Sequence, residues 1–260
     1  MRLYFKYLSI HIRSNMEYKT SFFLTMIGQA ITTFSALIAV YFLFHRFGSI
    51  KGYTFNEVLL CFSTINISFS LGECFGRGFD NFSILISNGQ FDRIMVRPRS
   101  EILQVLGTRI ELTRVGRLIE AAIVLTYAIN TCSVSWNLGK VITLCLMIIC
   151  GMFLFYCLFK IYAALCFFTI EGLEFMNIFT DGGRDIASYP LDVYKNGVVK
   201  FFTFIVPLAF INYYPFLYLI DRFEGNKILY MISPLAAILF AIPSNIIWKI
   251  GIKHYKSTGS

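Results

Sequence analysis

Long apolar stretches alternate with short polar segments along most of the chain. No Lys, Arg, Asp or Glu occurs between Lys19 and Arg46, and further uncharged stretches follow at intervals. About 20 apolar residues in a helix span the hydrocarbon core of a bilayer. The pattern therefore predicts six membrane-spanning helices, at 20–45, 57–75, 118–139, 141–168, 201–220 and 228–248. The second has the shortest uncharged stretch, from Val58 to Gly72, and it contains Asn66.

The first 18 residues have a different pattern, in which basic and apolar side chains recur with helical spacing. Basic and polar residues lie on one face and apolar residues on another, namely Arg2, Lys6, Ser9 and Arg13 against Leu3, Tyr7 and Ile10. This predicts an amphipathic helix at 1–18 that lies in the membrane interface. A simpler alternative is a basic anchor for the first span. Because no linker or internal repeat is visible, we predict one all-α membrane domain over 1–260.

Composition agrees with a membrane protein and argues against a soluble one. The 260 residues are 57% hydrophobic and 15% charged, whereas soluble domains carry about 25% charged residues. The formal net charge is +8. The basic residues lie between apolar stretches and form no stripe with stacking aromatic residues, so nucleic-acid binding is not expected.

The basic residues also predict the orientation of the chain. Seventeen Lys and Arg residues fall in the N-terminal segment, the tail and the loops after the second and fourth spans, against five in the alternate loops. Cytoplasmic loops of membrane proteins carry such an excess of positive charge. We therefore expect both termini in the cytoplasm and a multi-pass protein of the cell (plasma) membrane, most simply the inner membrane of a bacterium.

Motifs for catalysis or metal binding are missing from the sequence. It contains no GxxxxGK[ST] phosphate loop, no HExxH and no GxSxG. His11, His45 and His254 are far apart, and the seven Cys residues form no CxxC pair, which argues against a metal site. We expect no catalytic residue, no metal and no cofactor on this chain.

Ionisable residues are almost absent from the predicted spans. Glu57 and Glu73 flank the uncharged stretch of the second span. Glu120 and Lys160 are the remaining exceptions, and each is close to the end of a span. Carriers that are coupled to protons or ions place such groups inside the membrane. If the protein moves a substrate uphill, the energy is therefore expected to come from another subunit.

The stretch at 78–117, between the second and third spans, has the most varied sequence. Its central part, Gly89-Gln90-Phe91-Asp92-Arg93-Ile94-Met95-Val96-Arg97-Pro98, combines apolar side chains with Asp and Arg. Pro98 disfavours helix at Arg97, and Ser100 can cap a helix that continues towards the third span. We predict a short amphipathic helix, a break and a second helix. Such a segment suits docking into a groove of a soluble partner, or it is a solvated basic loop that serves only topology.

This segment is similar to the G-x-hydrophobic-D-x-x-L-x-R-P motif of permease subunits in the ABC type-2 transporter family. Met95 or Val96 stands here at the position of the motif's usual Leu. The amphipathic start and the six spans extend the resemblance along nearly the whole chain, and Pro207, Tyr214 and Pro215 around the fifth span also fit it.

The resemblance implies a coupling helix that fits a cleft in a separate ATP-hydrolysing subunit. The residues implied in coupling are Gly89, Gln90, Phe91, Asp92, Arg93, Arg97 and Pro98. It also implies a complex of two permeases, identical or paralogous, with two ABC ATPase subunits that carry the ATP and Mg²⁺. The implied activity is export of a lipid, drug, peptide or polysaccharide through the membrane.

Spans one, two and five are the expected substrate path. Its polar candidates are Gln29, Asn66 and Asn212, each of which would alternatively make an interhelical hydrogen bond. The Gly72-x-x-x-Gly76 pattern would allow close approach of two helices. The charged loop between spans four and five is either a second contact with the ATPase or an exposed loop. Its charges are Glu171, Glu174, Asp181, Arg184, Asp185 and Asp192.

Two other functions are compatible with the sequence. One is a secondary carrier or channel that works without ATP, although the scarcity of charges in the spans counts against it. The other is a membrane scaffold that transports nothing. A scaffold would leave the activity of a partner ATPase unchanged when Arg97 and Pro98 are altered.

Overall fold

The computed structural model describes residues 2–169 and 174–257, which form helices joined by loops and contain no strand. The predicted loop residue Glu171 lies outside these ranges. In chain order, the α-helices of the described ranges are α1 Arg2–Glu17, α2 Lys19–Phe47, α3 Phe55–Gly76, α4 Phe82–Ser87, α5 Gln90–Met95, α6 Glu101–Thr108, α7 Val115–Thr131, α8 Leu138–Thr169, α9 Asp181–Ala187, α10 Asn196–Phe204, α11 Tyr214–Leu219, α12 Lys227–Ile232 and α13 Ala236–His254. The predicted all-α class is confirmed for this part of the chain.

Four helical stretches of the described chain are long and apolar enough to cross a membrane. They are α2, the stretch Phe55–Ser87 that begins with α3, α8, and the stretch Lys227–His254 that ends with α13. A fifth candidate is the pair Asn196–Phe204 and Ala209–Leu219, whose axes meet at 90°. Helix α7 has 17 residues, about 25 Å of helix. It is therefore shorter than the hydrocarbon core of about 30 Å and is not among these candidates. The predicted number of six is therefore not confirmed, since length and composition give four or five.

Helix α7 ends earlier than predicted, and α8 begins before residue 141. The predicted third span extends to 139, but the helix stops at Thr131 and residues 132–137 are not helical. The side chain of Asn137 accepts a hydrogen bond from the backbone N–H of Lys140 at 2.9 Å. An Asn in this position caps a helix start, so it places the beginning of α8 where hydropathy alone gives no clear boundary.

Helix α3 lies at the centre of the molecule and is buried along nearly its whole length. Small residues let it approach α8 closely. A Cβ atom on Gly72 would lie 3.0 Å from the Cβ of Phe155, and one on Gly76 would lie 3.0 Å from Cδ2 of Phe159. Each aromatic side chain of α8 therefore occupies the space that a glycine of α3 leaves open. The predicted close approach at these two glycines is confirmed.

Residues 181–193, named here the crossing segment, lie along α3 from one end to the other. At the C-terminal end of α3, a carboxylate oxygen of Asp181 lies 3.9 Å from the guanidinium of Arg77. At the N-terminal end, the hydroxyl of Tyr53 donates to the carboxylate of Asp192 at 3.0 Å. The sequence predicted a charged loop on one side of the membrane. That prediction is wrong for this segment, because its charged ends pair with residues at opposite ends of the bundle.

The fifth predicted span, 201–220, is interrupted by a sharp bend. Helix α10 ends at Phe204, and after residues 205–208 the chain turns by 90° into a π-helical turn, Ala209–Tyr213, which leads into α11. Pro207 explains the break, because proline lacks a backbone N–H and disfavours helix in the residue before it.

Helix α1 packs beside α6 and so lies against the region between the second and third spans. The ring of Tyr7 occupies the space beside Gly107, where a Cβ atom would overlap it. The imidazole Nε2 of His11 lies 3.0 Å from the carbonyl oxygen of Gly107. Phe5 and Ile10 remain mostly exposed. The predicted N-terminal helix is present, and its exposed apolar side chains suit a membrane interface.

Replacing Gly151 by Val tests whether the stability of the bundle depends on the close approach of α3 and α8. A Cβ atom on Gly151 would lie 2.6 Å from the Oγ of Ser68 in α3, so a larger side chain forces the helices apart. Overpacking of this kind costs about 1–3 kcal/mol. Thermal unfolding of the purified chain in detergent should therefore show a lower midpoint for Gly151→Val.

Gly28→Val is the matched control in α2, because no atom lies within 4 Å of a Cβ atom built there. Its midpoint should be unchanged or higher, since glycine is a poor helix former. An equal loss of stability in both variants would contradict the role of the α3–α8 contact.

Candidate functional site

Helices α4 and α5 are joined by a tight turn at Gly89. Its backbone has φ 64° and ψ 11°, a left-handed conformation that glycine adopts without strain. The backbone N–H of Gly89 donates to the carbonyl of Ile86 at 2.9 Å, and that of Asn88 donates to Ile84 at 3.1 Å, so these bonds close the end of α4. The first residue of the predicted motif therefore has a conformational role, because it lets α5 begin at the next residue.

Phe91 is fully buried and anchors α5 to the core. Its ring makes edge-to-face contacts with Phe82 of α4, Phe167 of α8 and Tyr255 after α13, at centroid distances of 5.1, 5.3 and 5.1 Å. Aromatic pairs in this geometry contribute about 0.5–1.5 kcal/mol each beyond the area that they bury. The structure thus places Phe91 inside the chain and away from the surface, whereas the resemblance implied a contact with a partner.

Asp92 is half-buried and connects α5 to the end of the chain. Its Oδ2 accepts a hydrogen bond from the hydroxyl of Ser257 at 2.5 Å. Burial, with a smaller contribution from the neighbouring Asp92, raises the pKa of Tyr255 to about 12, so this phenol is protonated at neutral pH. Like Phe91, Asp92 therefore makes its closest contact within this chain, whereas the resemblance implied a contact with a partner.

The remaining part of α5 and the turn after it are exposed. Val96 is 82% exposed and Met95 is 44% exposed. We define the α5 surface by its exposed apolar, basic and polar members, which are Gln90, Arg93, Met95, Val96, Arg97 and Pro98. Exposed apolar side chains beside charged ones are typical of interaction surfaces. The sequence did not single out Met95 and Val96 as site residues, although an apolar pair within an arginine-rich stretch was the available signal.

Gln104 of α6 holds the turn between α5 and α6. Its Nε2 donates to the carbonyl oxygens of Ile94 and Arg99, both at 3.2 Å. The predicted cap residue Ser100 occupies the N-cap position of α6, but its side chain makes no capping hydrogen bond. The break predicted at Pro98 is present. The turn is held by different contacts, because the buried amide of Gln104 donates to carbonyls whereas a capping serine would accept from backbone N–H groups. Nothing in the local sequence pattern pointed to this glutamine.

A buried carboxylate at the end of α3 collects arginines from three parts of the chain. Glu73 has no exposed surface. It pairs with Arg77 at 2.5 Å, with Arg117 of α7 at 3.0 Å and with Arg114 just before α7 at 3.6 Å. A buried carboxylate is stable only when it is paired and hydrogen-bonded. Glu73 therefore fixes the start of α7 against the end of α3.

The cluster continues outward from this carboxylate. Arg77 also pairs with Asp80 and reaches Asp181 of the crossing segment at 3.9 Å. Arg114 donates to the side-chain oxygen of Gln29 in α2 at 2.7 Å. The Glu73 cluster thus joins α2, α3, α7 and the crossing segment at one end of the bundle. Gln29, which was predicted on the substrate path, is engaged here as a partner of an arginine.

The other two predicted path residues, Asn66 and Asn212, meet at the middle of the crossing segment. The side-chain N–H of Asn66 donates to the hydroxyl of Ser188 at 3.4 Å. That of Asn212 donates to the carbonyl of Ala187 at 2.6 Å. Polar backbone groups at membrane depth need such partners wherever the chain leaves a helix. The two asparagines therefore hold this segment in the bundle, and Gln29 lies apart from them.

Residues 30–259 match a family model described as ABC-2 family transporter protein. The chain belongs to the ABC-2 transporter family. Membrane proteins of this family are subunits that work with separate ABC ATPases and are not ATPases themselves. The comparisons with curated proteins and with solved structures gave no match.

Lys160 and Glu120 are ionisable side chains within the fourth and third predicted spans of this ABC-2 family chain. The Nζ of Lys160 donates to Oδ1 of Asn245 and lies 6.0 Å from the ring centroid of Trp248. In α7, both carboxylate oxygens of Glu120 are buried without a hydrogen-bond partner among the described residues. Within the same ranges, no group of three or more His, Cys, Asp or Glu side chains is arranged to hold a metal ion. Glu120 is thus a carboxylate within a predicted span that has no hydrogen-bond partner among the described residues.

Truncating Phe91 should loosen α5 without removing any exposed group. Phe91→Ala leaves a cavity beneath α5, and core Phe→Ala changes cost about 3–5 kcal/mol. Hydrogen–deuterium exchange of the α5 backbone in the detergent-solubilised chain should be faster in this variant. Ile84→Ala, at an exposed position of α4, is the control and should leave the exchange unchanged. Equal exchange in Phe91→Ala and the wild type would mean that the ring does not anchor α5.

Neutralising Glu73 should destabilise the whole bundle. Removal of one partner from a buried ion pair costs about 3–5 kcal/mol, because the remaining charge is left uncompensated. The thermal unfolding midpoint of Glu73→Gln should fall well below that of the wild type. Glu17→Gln changes an exposed glutamate of α1 and should have no effect. A wild-type midpoint for Glu73→Gln would refute the importance of the cluster for stability.

Proposed function

We propose that this chain is the permease subunit of an ABC exporter and that separate ATPase subunits dock on the α5 surface. Membership of the ABC-2 family supports a permease subunit of an ABC transporter. The direction of transport, the docking position and a dimer of permeases are parts of the proposal. The observation that carries it is the exposed apolar and basic surface of α5, centred on Val96.

The α5 surface has the properties that a docking helix needs. Val96 projects from the turn, and leaving an apolar side chain of this size in water is unfavourable unless a partner covers it. Arg93 and Arg97 flank it, and guanidinium groups pair well with carboxylates around a groove. Beneath, Phe91 and Gln104 hold the helix and the turn in one position. A rigid, exposed knob beside positive charges supports docking into an apolar cleft with an acidic rim.

Movement of a docked α5 would reach the spans through α6 and the Glu73 cluster. Helix α6 leads directly to Arg114 and Arg117, which pair with Glu73 of α3. From there, Arg77 reaches the crossing segment at Asp181. Elements that are packed and paired in this way shift as rigid bodies between discrete arrangements. ATP and Mg²⁺ would be bound by the ATPase, whose closure would change the position of α5.

We place the α5 surface and both termini in the cytoplasm of a bacterium, with the chain in its inner membrane. The excess of Lys and Arg on this side supports the orientation. Helix α7 is then the third span in spite of its length. It begins beside Glu73, and its last residue, Thr131, accepts a hydrogen bond from the side chain of Asn56 near the opposite end of α3 at 3.3 Å. The crossing segment is the fifth passage, and the bent pair of α10 and α11 is re-entrant, because Arg222 after α11 pairs with Glu57 at the end of the bundle where Asp192 lies. This gives six passages.

A second permease would pack against the uncovered face of α2. This long helix is the least buried of the candidate spans. Its exposed apolar side chains recur at helical spacing and include Phe23, Ile27, Ile31, Phe34 and Ile38. In a membrane, van der Waals packing between such faces supports association of helices. The partner in this position is an identical or a paralogous permease.

One observation favours the alternative of a carrier that works without ATP. Glu120 is an intramembrane carboxylate without a hydrogen-bond partner among the described residues, and such groups mark proton or ion pathways. If Glu120 were the coupling group, Glu120→Gln would abolish transport in vesicles that contain no ATP. The exporter proposal expects no transport in those vesicles from either form.

Co-purification tests the proposal directly. The chain is extracted from its native membrane in a mild detergent, and the proteins bound to it are identified by mass spectrometry. We expect an ATPase with a P-loop motif among them. A folded chain that carries no such ATPase would require the carrier or the scaffold instead.

Two substitutions on the α5 surface should release the ATPase. Val96→Asp places a charge at the centre of the apolar contact, and Arg97→Ala removes a flanking cation. Loss of a central interface contact costs about 2 kcal/mol or more, so retention of the ATPase should fall at least tenfold. The control is Arg46→Ala, which removes an exposed arginine at the far end of α2. Normal retention in both α5 variants would place the docking site elsewhere.

A further inference from the structure

Two cavities lie between α2 and the crossing segment. The first has a volume of about 70 Å³, and its wall on α2 contains Thr32 and Ala36. The second is an apolar groove of about 540 Å³, and its wall on α2 contains Leu43 and Phe47. The second volume falls within the range of about 300–1,000 Å³ that is usual for small-molecule sites.

The two cavities share one face of α2. Thr32, Ala36, Leu43 and Phe47 are separated by four, seven and four residues, which are nearly whole numbers of helical turns. These residues therefore form a single stripe of about 22 Å along the helix axis.

The opposite wall of both cavities is formed by the crossing segment and the residue after it. Arg184 and Asp185 line the first cavity, and Tyr189, Val193 and Tyr194 line the second. These residues follow one another along a segment that crosses the bundle. The two cavities therefore follow one another along the boundary between α2 and the crossing segment, named here the seam, which is charged at one end and apolar at the other.

The charged end of the seam contains two arginines and one acidic residue. The side chains of Arg117 and Arg184 are only 13% and 17% exposed. Arg117 uses Nη1 to pair with Glu73 at 3.0 Å, and its Nη2 donates weakly, at 3.5 Å, to the hydroxyl of Thr32 on the cavity wall. Arg184 lies 3.9 Å from Asp181 and pairs at 2.6 Å with Asp185, whose side chain is 64% exposed and has room to turn towards solvent. The cavity thus offers guanidinium donors to an anion.

We infer that this seam binds a membrane amphiphile with an anionic headgroup. The headgroup lies at Arg117 and Arg184, and the hydrocarbon chain lies in the groove between Phe47 and Tyr189. Charge complementarity selects the anionic headgroup, and the apolar groove selects a molecule with a chain over a free anion. Calling this amphiphile the exported cargo rests on the proposed function, whereas its binding does not.

Two ligands with the same chain and different headgroups test the inference. Hexadecyl phosphate and hexadecylphosphocholine are added separately to the full chain in phosphatidylcholine nanodiscs, and the bound molecules are counted by native mass spectrometry. Charge-assisted hydrogen bonds are worth enough to favour the phosphate by about tenfold. Arg184→Gln should remove most of this preference.

A variant in the groove keeps the test independent of the arginine cluster. Leu43→Trp fills the apolar groove and should reduce binding of both ligands at least tenfold. Leu43 is only partly buried, so a larger side chain there is compatible with folding. The matched control is Leu239→Trp at an exposed position of α13, which should bind both ligands as the wild type does.

Three outcomes would overturn the inference. Equal binding of the two headgroups would make the groove a site for bulk lipid. Unchanged binding in Leu43→Trp would place the ligand elsewhere. A dimer that binds neither ligand would mean that a second copy of the chain covers the seam. If the ligand binds while no ATPase co-purifies, the proposed function fails and the site stands; if the ATPase co-purifies while no ligand binds, only the site fails.

Discussion

A carboxylate without any exposed surface is the constraint on which the arrangement of this chain depends. Glu73 lies at the end of the central helix, where its charge is unfavourable unless cations surround it. The arginines that do so come from the turn after α3 and from the start of α7. One buried charge therefore determines where α3 ends, where α7 begins and how the segment between them leaves the bundle. That segment carries the α5 surface, so the position of this surface depends on the same ion pairs.

The crossing segment is the second consequence of burying polar groups in a bundle. Helix α9 ends at Ala187, level with the middle of α3. The backbone N–H and C=O groups that follow would have no hydrogen-bond partners if they faced lipid. Asn66 and Asn212 supply hydrogen bonds there. At the two ends of the segment, Asp181 pairs with Arg77 and Asp192 accepts from Tyr53. This arrangement connects the Glu73 cluster to the far side of the molecule. It also leaves room for the seam against α2, because the short helix α9, a turn and the single 3-10 turn Leu191–Val193 do not fill the space that a full helix would occupy.

Hydropathy was sufficient to predict the long helices, because α2, α3 and α8 are apolar over lengths that only a membrane core explains. The Gly72 and Gly76 spacing likewise predicted a close contact that the structure confirms. Local signals also predicted the break at Pro98. The bend at Pro207 was not anticipated, although proline gives a reason for it.

The tertiary contacts could not be predicted from the sequence. Charges at 181–193 indicated a solvated loop, but Asp181 and Asp192 pair with residues more than 100 positions away, Arg77 just after α3 and Tyr53 before it. Phe91 belonged to a motif associated with docking, yet three aromatic rings from α4, α8 and the end of the chain surround it. The members of the α5 surface, Val96 among them, lie on the outside. The sequence pattern thus predicted the right segment, whereas tertiary packing determines which of its side chains are exposed to a partner.

The most direct measurement of the central claim is a photocrosslink from position 96 in living cells. A benzophenone amino acid is incorporated in place of Val96 and, as a control, in place of Leu138, which is equally accessible at the opposite end of the bundle. After irradiation, the crosslinked protein is identified by mass spectrometry. We expect an ATPase with a P-loop motif at position 96 and none at position 138. A crosslink to lipid alone at position 96, in a chain that remains folded, would contradict it.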